Sequence, residues 1–297
     1  MASPLEFDVG VEGVVTPFTP STVPSIMANI KSKFSRGPKP SEAAGYSDDC
    51  AFVILRDFLQ PKSTLSLESV VSALVDLLPE DAPESSAVYS FGALCLDMGE
   101  RIPYHHPSHQ KMALLLEKLG VFTKVNSKTY LGGKSPIYNR YQRLGEYVKD
   151  CRLPPAEEEP QTYVNYNAFV ANIERCHVFE TDPTYAIWAM RDALEKNIED
   201  EALCIRDSYI IGAAQWILWN GQKLFAQIKY TGTVFPQYWS PGELYSGEGL
   251  LTIHRWRFWA DRFRAMAGEK SECSDECKAV AVKAADMMDA FEKYMTF

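Results

Sequence analysis

Histidine, cysteine and arginine carry most protein chemistry, and each forms a cluster in this sequence. His105, His106 and His109 stand together in H-H-P-S-H. Two metal ligands are usually supplied at helical spacing, but Pro107 and the potential cap Ser108 put His105 and His106 before a helix and His109 inside it. Cys273 and Cys277 straddle a helix start in C-S-D-E-C. A single C-x-x-x-C without a second pair is poor zinc chemistry, and only Cys176-His177 could complete a set of four. Gly132-Gly133-Lys134-Ser135 imitates the end of a phosphate-binding loop, but Lys128 stands where that loop needs glycine, and Pro136 follows where a helix should start. The expectation is therefore no metal and no cofactor, with ordinary thiols and a solvated histidine loop.

The third cluster mixes arginine with tryptophan. Trp188 and Arg191 share a helix flank, with Glu195 one turn on as the expected ion-pair partner of Arg191. Gln215 and Trp219 lie on a later helix, and Arg255 adjoins Trp256. If Trp188, Arg191, Gln215, Trp219, Arg255 and Trp256 converged, they would wall an aromatic pocket with a few polar groups, as ligand sites are commonly built. If they do not, they are core, since tryptophans at helical spacing pack and an arginine beside them is a structural pair.

These residues depend on helices for their placement. From Asp200 to Tyr230, Leu203, Ile210, Ala214, Ile217, Gly221, Leu224 and Ile228 form one stripe, and Ile205, Gly212, Trp216 and Trp219 make the opposite side apolar too. A helix apolar on both sides is packed on both sides, so this stretch is expected to be a central buried helix. Gly212, Ala213, Ala214 and Gly221 would let neighbours approach it closely. Elsewhere, Ser47 and Ser66 cap helices stopped by Pro61 and Pro79. Further helices are expected at Ile26–Phe34, Ser86–Met98, Gln110–Leu119 (closed by Gly120), Asn139–Cys151 and Tyr163–Val178, followed by one opened by Asp182-Pro183. Thr252 or Leu251 starts the next helix, after a Gly-, Pro- and aromatic-rich loop, and Ser274 caps the last. Only residues 121–138 have any strand flavour. The class is all-α, an irregular multi-helix bundle of roughly ten helices. Residues 1–46 read as an arm with a short helix and 47–153 as an N-terminal helical subdomain. An acidic Pro-rich loop at 154–162 leads to a C-terminal helical subdomain at 163–297, the whole packed as one unit.

Charge and composition narrow the function classes. Residues 1–153 carry 16 basic and 17 acidic side chains, and residues 154–297 carry 14 and 22, so −8 of the net −9 lies in the second half. That balance excludes a general phosphate-backbone binder, which needs clustered positive charge. The longest apolar run, Tyr209 to Trp219, is about half a membrane span and holds Gln215. No Lys or Arg precedes Lys31, acidic residues interrupt the N-terminus, and seven cysteines lack framework spacing. The expected setting is reducing, soluble and cytoplasmic, with a nuclear location left open. Neither nucleic acid nor membrane is an expected partner.

Five strings resemble those of an all-helical, intracellular family of filamentous fungi whose function is undefined. They are N-x-x-A-F (Asn165, Ala168, Phe169), A-I-W-A-M-R-D-A-L-E from Ala186, A-A-Q-W-I from Ala213, R-W-x-F-W from Arg255, and I-P-x-x-H-P-S-H-Q-K from Ile102. The resemblance spans approximately Ser86 to Met295 and implies the helical fold, but brings no catalytic residues. Two functions remain. One is a non-enzymatic protein whose anchors only pack and which binds a protein partner. The other is an enzyme or carrier of fungal specialised metabolism holding an apolar small molecule.

Overall fold

In the computed structural model, residues 2–7, 46–80, 86–122, 124–125, 148, 151–176, 178, 183–228 and 238–295 are described. Among them the fold is all-α, with nine α-helices, one π-helical turn and no strand. The helices are α1 Asp48–Leu59, α2 Leu67–Leu77, α3 Ala87–Arg101, α4 Ser108–Leu119, α5 Pro160–Arg175, α6 Thr184–Met190, α7 Leu203–Gln227, α8 Ile253–Ala267 and α9 Asp275–Tyr294. The π-turn, Arg191–Glu195, continues α6 directly. The expected helices at Ile26–Phe34 and Asn139–Cys151 fall outside the described residues, apart from Val148 and Cys151, as does the Gly132–Ser135 stretch.

The chain divides into two units. The first comprises Met1–Met98 and Leu114–Asp150. Here Ser47 and Ser66 cap α1 and α2 by accepting the backbone N–H of Cys50 and Ser69. The N-terminal arm is fastened by its main chain, with Gln60 exchanging two 3.1 Å hydrogen bonds with Leu5. Phe7 is buried edge-on against Phe52.

The second unit, Gly99–Ala113 and Cys151–Phe297, is built around α7. Helices α5, α6 and α9 and the π-turn all pack on it. Burial follows the two-sided pattern: Ile205, Ile210, Ala214, Trp216, Ile217 and Leu224 are all buried. Leu203, the first residue of the helix, is 46% exposed, and Trp219 and Ile228 are half-buried. At Gly212 a β-carbon would lie 2.7 Å from the Tyr163 ring, so the close approach of α5 to α7 depends on that glycine. Helix α5 begins at Pro160, inside the stretch read as an acidic loop, with proline in the first turn where its missing N–H costs nothing. Thr252 and Ser274 cap α8 and α9 through the N–H groups of Arg255 and Cys277. No helix among the described residues is long and apolar enough to cross a membrane.

Candidate functional site

The π-turn organises the chemistry of the second unit. A helix leaves its last carbonyls without intrahelical donors. Here the Leu194 carbonyl accepts from Arg262 Nε at 3.2 Å and the Glu195 carbonyl from the Leu244 N–H at 2.8 Å. The Glu195 side chain is wholly buried. Its Oε1 accepts from Arg255 Nε and Trp259 Nε1, both at 2.6 Å, and its Oε2 from Arg255 Nη2 at 2.9 Å and Gly242 N at 2.8 Å. Arg255, also fully buried, uses its remaining nitrogen, Nη1, on the Trp239 carbonyl at 2.8 Å. Its guanidinium lies over the rings of Trp259 and Tyr245. The expected Arg191–Glu195 pair is therefore corrected: Glu195 turns inward to a bidentate arginine, a stronger arrangement than an exposed contact along one helix.

Three of the six residues proposed from sequence clasp one short segment. Trp188 Nε1 donates to the Tyr238 carbonyl at 2.7 Å, Arg255 to that of Trp239, and Arg191 Nη1 to that of Ser240 at 3.4 Å. Trp239 is itself buried and donates its indole N–H to Thr184 Oγ1 at 2.8 Å. The other three stand apart. Gln215 accepts from Trp219 Nε1 at 3.1 Å and donates to the Ile211 carbonyl, so this pair serves its own helix. Trp256 is buried, packs on Phe225 and donates to the Met288 carbonyl. Trp216, the largest buried side chain of α7, bonds Asn167.

A second cluster lies on the outer flank of the π-turn. Arg152 is ion-paired to Asp192 and lies 5.2 Å over the Trp188 ring. Lys196 Nζ is 2.7 Å from the other Asp192 oxygen, and Arg191 Nε is 3.8 Å from it. Tyr163, edge-on to Tyr209 at 5.4 Å, feels the charges of both Arg152 and Asp192. Burial pushes the Tyr163 phenol well above its ordinary value, so it stays a neutral donor at all working pH. Its hydroxyl and the Arg191 Nε are buried and without hydrogen-bond partners. Of this cluster, sequence reasoning named only Trp188 and Arg191. Arg152 sits before two prolines and Tyr163 on a helix whose every face is apolar or amide, so neither advertised itself.

The histidines separate. His105 is exposed against Tyr104, and His106 Nδ1 accepts the Ser108 N–H at 3.2 Å. His109 is fully buried, with Nε2 donating to the Ile102 carbonyl at 2.7 Å. Burial, opposed by the Ile102 bond and aided by the nearby His106 and His105, lowers its pKa to about 4. The cysteines, by contrast, come together with a residue that sequence spacing did not suggest. Asp207, Cys273 and Cys277 place a carboxylate oxygen and two thiols within 4.8 Å of one another. The hydrogen bond from Cys277 draws Cys273 down to about 6 and drives Cys277 upward. Cys176 is buried on its own helix end, and His177 lies outside the described residues.

The strings that suggested a family turn out to be fasteners. Asn165 accepts the Tyr104 N–H at 2.9 Å and donates to the Glu100 carbonyl at 2.8 Å, binding the I-P-x-x-H turn to α5. Phe169 packs against His109, while R-W-x-F-W supplies Arg255, Trp256 and Trp259. No curated protein and no solved structure matches the chain. A family model described as "Protein of unknown function (DUF3632)" matches residues 93–263, more than half of the sequence, and the chain belongs to that family.

Proposed function

We propose that this is a binding protein without catalysis in its Trp/Arg constellation, and that it recognises a small planar aromatic molecule bearing a carboxylate or phosphate. The recognising face is Arg152, Trp188, Arg191 and Tyr209, with Tyr163 behind it. One observation carries the reading: two buried donors beside the Arg152–Asp192 pair, the Tyr163 hydroxyl and Arg191 Nε, make no hydrogen bond, the latter lying 3.8 Å from Asp192 Oδ1. An unpaired buried donor costs about 1–3 kcal/mol, and native proteins rarely keep two together without a ligand or water to satisfy them. Three cations, Arg152, Arg191 and Lys196, face one carboxylate here, in a chain of net charge −9. Such a local reversal of sign attracts anions. The half-buried Trp188 and Tyr209 rings offer faces for an aromatic body.

Glu195 and Arg255 take no part in this. All three Arg255 nitrogens and both Glu195 oxygens are hydrogen-bonded, to each other, to Trp259 and to Trp239 and Gly242 of the 239–244 segment, which argues for structure rather than turnover. The charged lining also favours an acidic aromatic over the purely apolar molecule that tryptophan content alone suggested. Ligand-observed NMR with benzoate, phenyl phosphate and toluene tests this. Benzoate and phenyl phosphate should bind, toluene should not, and Arg152→Met should abolish binding while the fold is retained. Equal binding of toluene, or binding unchanged in Arg152→Met, would contradict the reading.

A further inference from the structure

Helix α9 opens with Ser274 as cap, Cys273 just before it and Cys277 in its first turn, and the second turn of α7 lies alongside. Asp207 is tied to this corner because its two carboxylate oxygens accept the Ser274 N–H at 3.4 and 3.2 Å. The same serine hydroxyl accepts the Cys277 N–H at 3.2 Å, and Ser271 Oγ accepts the Cys273 N–H at 3.3 Å. Backbone bonds therefore hold both thiols and the carboxylate at one corner. Their donor atoms all lie within 4.8 Å of one another.

We propose that Asp207, Cys273 and Cys277 form a three-ligand zinc site, with water as the fourth ligand. Donors on one tetrahedral zinc sit about 3.3–3.8 Å apart, given bonds of about 2.0–2.3 Å. Closing the triad from its present spacing takes only small side-chain rotations. Two thiolates select a borderline-soft ion over calcium or magnesium, and the single carboxylate is an ordinary third zinc donor. The neutral Cys277 thiol donates towards the Cys273 sulfur and the Asp207 carboxylate, and a divalent cation would take the place of that proton.

The surroundings fit. Arg206 is near enough to Cys273 to act on its charge, and its buried Nε has no partner. Two thiolates, a carboxylate and one zinc leave a single negative charge, which that guanidinium offsets as an outer-shell donor. Glu272, paired with Arg206 at 3.2 Å, limits the repulsion that the arginine would otherwise exert on an incoming ion. Cys273 is 9% exposed and Asp207 half-buried, so the ion and its water have a route in from the surface. Bound zinc would tie the start of α9 to α7.

The test is cobalt and zinc titration of the reduced, chelator-stripped full chain, read by visible absorption and thermal melting. One equivalent of cobalt should give the intense bands of tetrahedral thiolate coordination, displaced by zinc. Zinc should raise the melting temperature of the wild type. Cys273→Ser, at the less buried thiol, should lose the bands and the zinc-induced rise while melting cooperatively without metal. Asp207→Asn should weaken binding by at least the roughly tenfold that even an outer-shell partner contributes. Should the stripped wild type show no thiolate–cobalt bands, or the bands survive in Cys273→Ser, the site does not exist. Formation of a Cys273–Cys277 disulfide in air, with no metal bound by the reduced protein, would likewise overturn it.

Discussion

Glu195 and Arg255 meet through two parallel hydrogen bonds, Oε1 to Nε at 2.6 Å and Oε2 to Nη2 at 2.9 Å, with both side chains fully buried. Sixty residues apart in sequence, they bring the end of the π-turn and the first turn of α8 together around the segment 239–244. The extra backbone carbonyls at the π-turn end are what that segment and Arg262 bind. A π-turn is an uncommon feature, and here it does a structural job beside the face we assign to ligand.

Removing one member of this pair should be far worse than removing both. Glu195→Gln leaves Arg255 charged and buried, and Arg255→Met leaves the Glu195 carboxylate so. Each should cost about 3–5 kcal/mol in chemical denaturation. The double variant should cost less than the sum, and the cycle should show coupling of about 0.5–3 kcal/mol. Additive losses would mean that the pair does not act as a unit.

Gly242 lies against the same latch. A β-carbon there would sit 2.4 Å from the Glu195 backbone oxygen, and neither chain can yield easily. Gly242→Ala should destabilise by about 1–3 kcal/mol. Its mark in amide exchange should be faster loss at Leu244 than at the buried residues of α7. Uniform loss of protection would place the damage elsewhere.

Trp216 and Trp219 should differ. Trp216 is wholly buried and bonded to Asn167, whereas Trp219 is half-buried. Trp216→Ala should cost about 3–5 kcal/mol, as truncation of core aromatics does, and Trp219→Ala distinctly less. Urea titrations of the two variants decide it, and equal losses would contradict the burial pattern.

His109 predicts a pH dependence. Its folded pKa of about 4 lies below the ordinary 6.5, so the unfolded chain binds a proton that the folded chain refuses. The contribution is complete above pH 6.5 and is lost as pH falls towards 4, on the order of 3 kcal/mol in all. His109→Gln should flatten that part of the stability profile between pH 4 and 6.5. An unchanged slope would mean that His109 titrates normally.

Helix identity was legible because local signals agreed with packing: Ser47, Ser66, Thr252 and Ser274 all cap where the hydroxyl pattern says, and α7 is buried on both sides. The Trp/Arg residues could be picked out of the sequence, but not their arrangement. Helical spacing shows which residues share a face, yet not that Glu195 would prefer Arg255 to Arg191. Nor can it place Asp207 beside thiols 66 and 70 residues later, because that meeting depends on how α7 and α9 pack. Arg152 was missed for a related reason: its partners Asp192 and Trp188 reach it across a fold, and nothing in its own neighbourhood marks it.

The central claim is that Arg255 serves the fold while Arg191 and Arg152 serve a ligand. The most direct measurement follows the assigned arginine Nε–H resonances during titration with benzoate. The Arg191 and Arg152 signals should shift and saturate together, and the Arg255 signal should stay where it is. A shift confined to Arg255, or saturating addition that moves none of the three, would contradict the account.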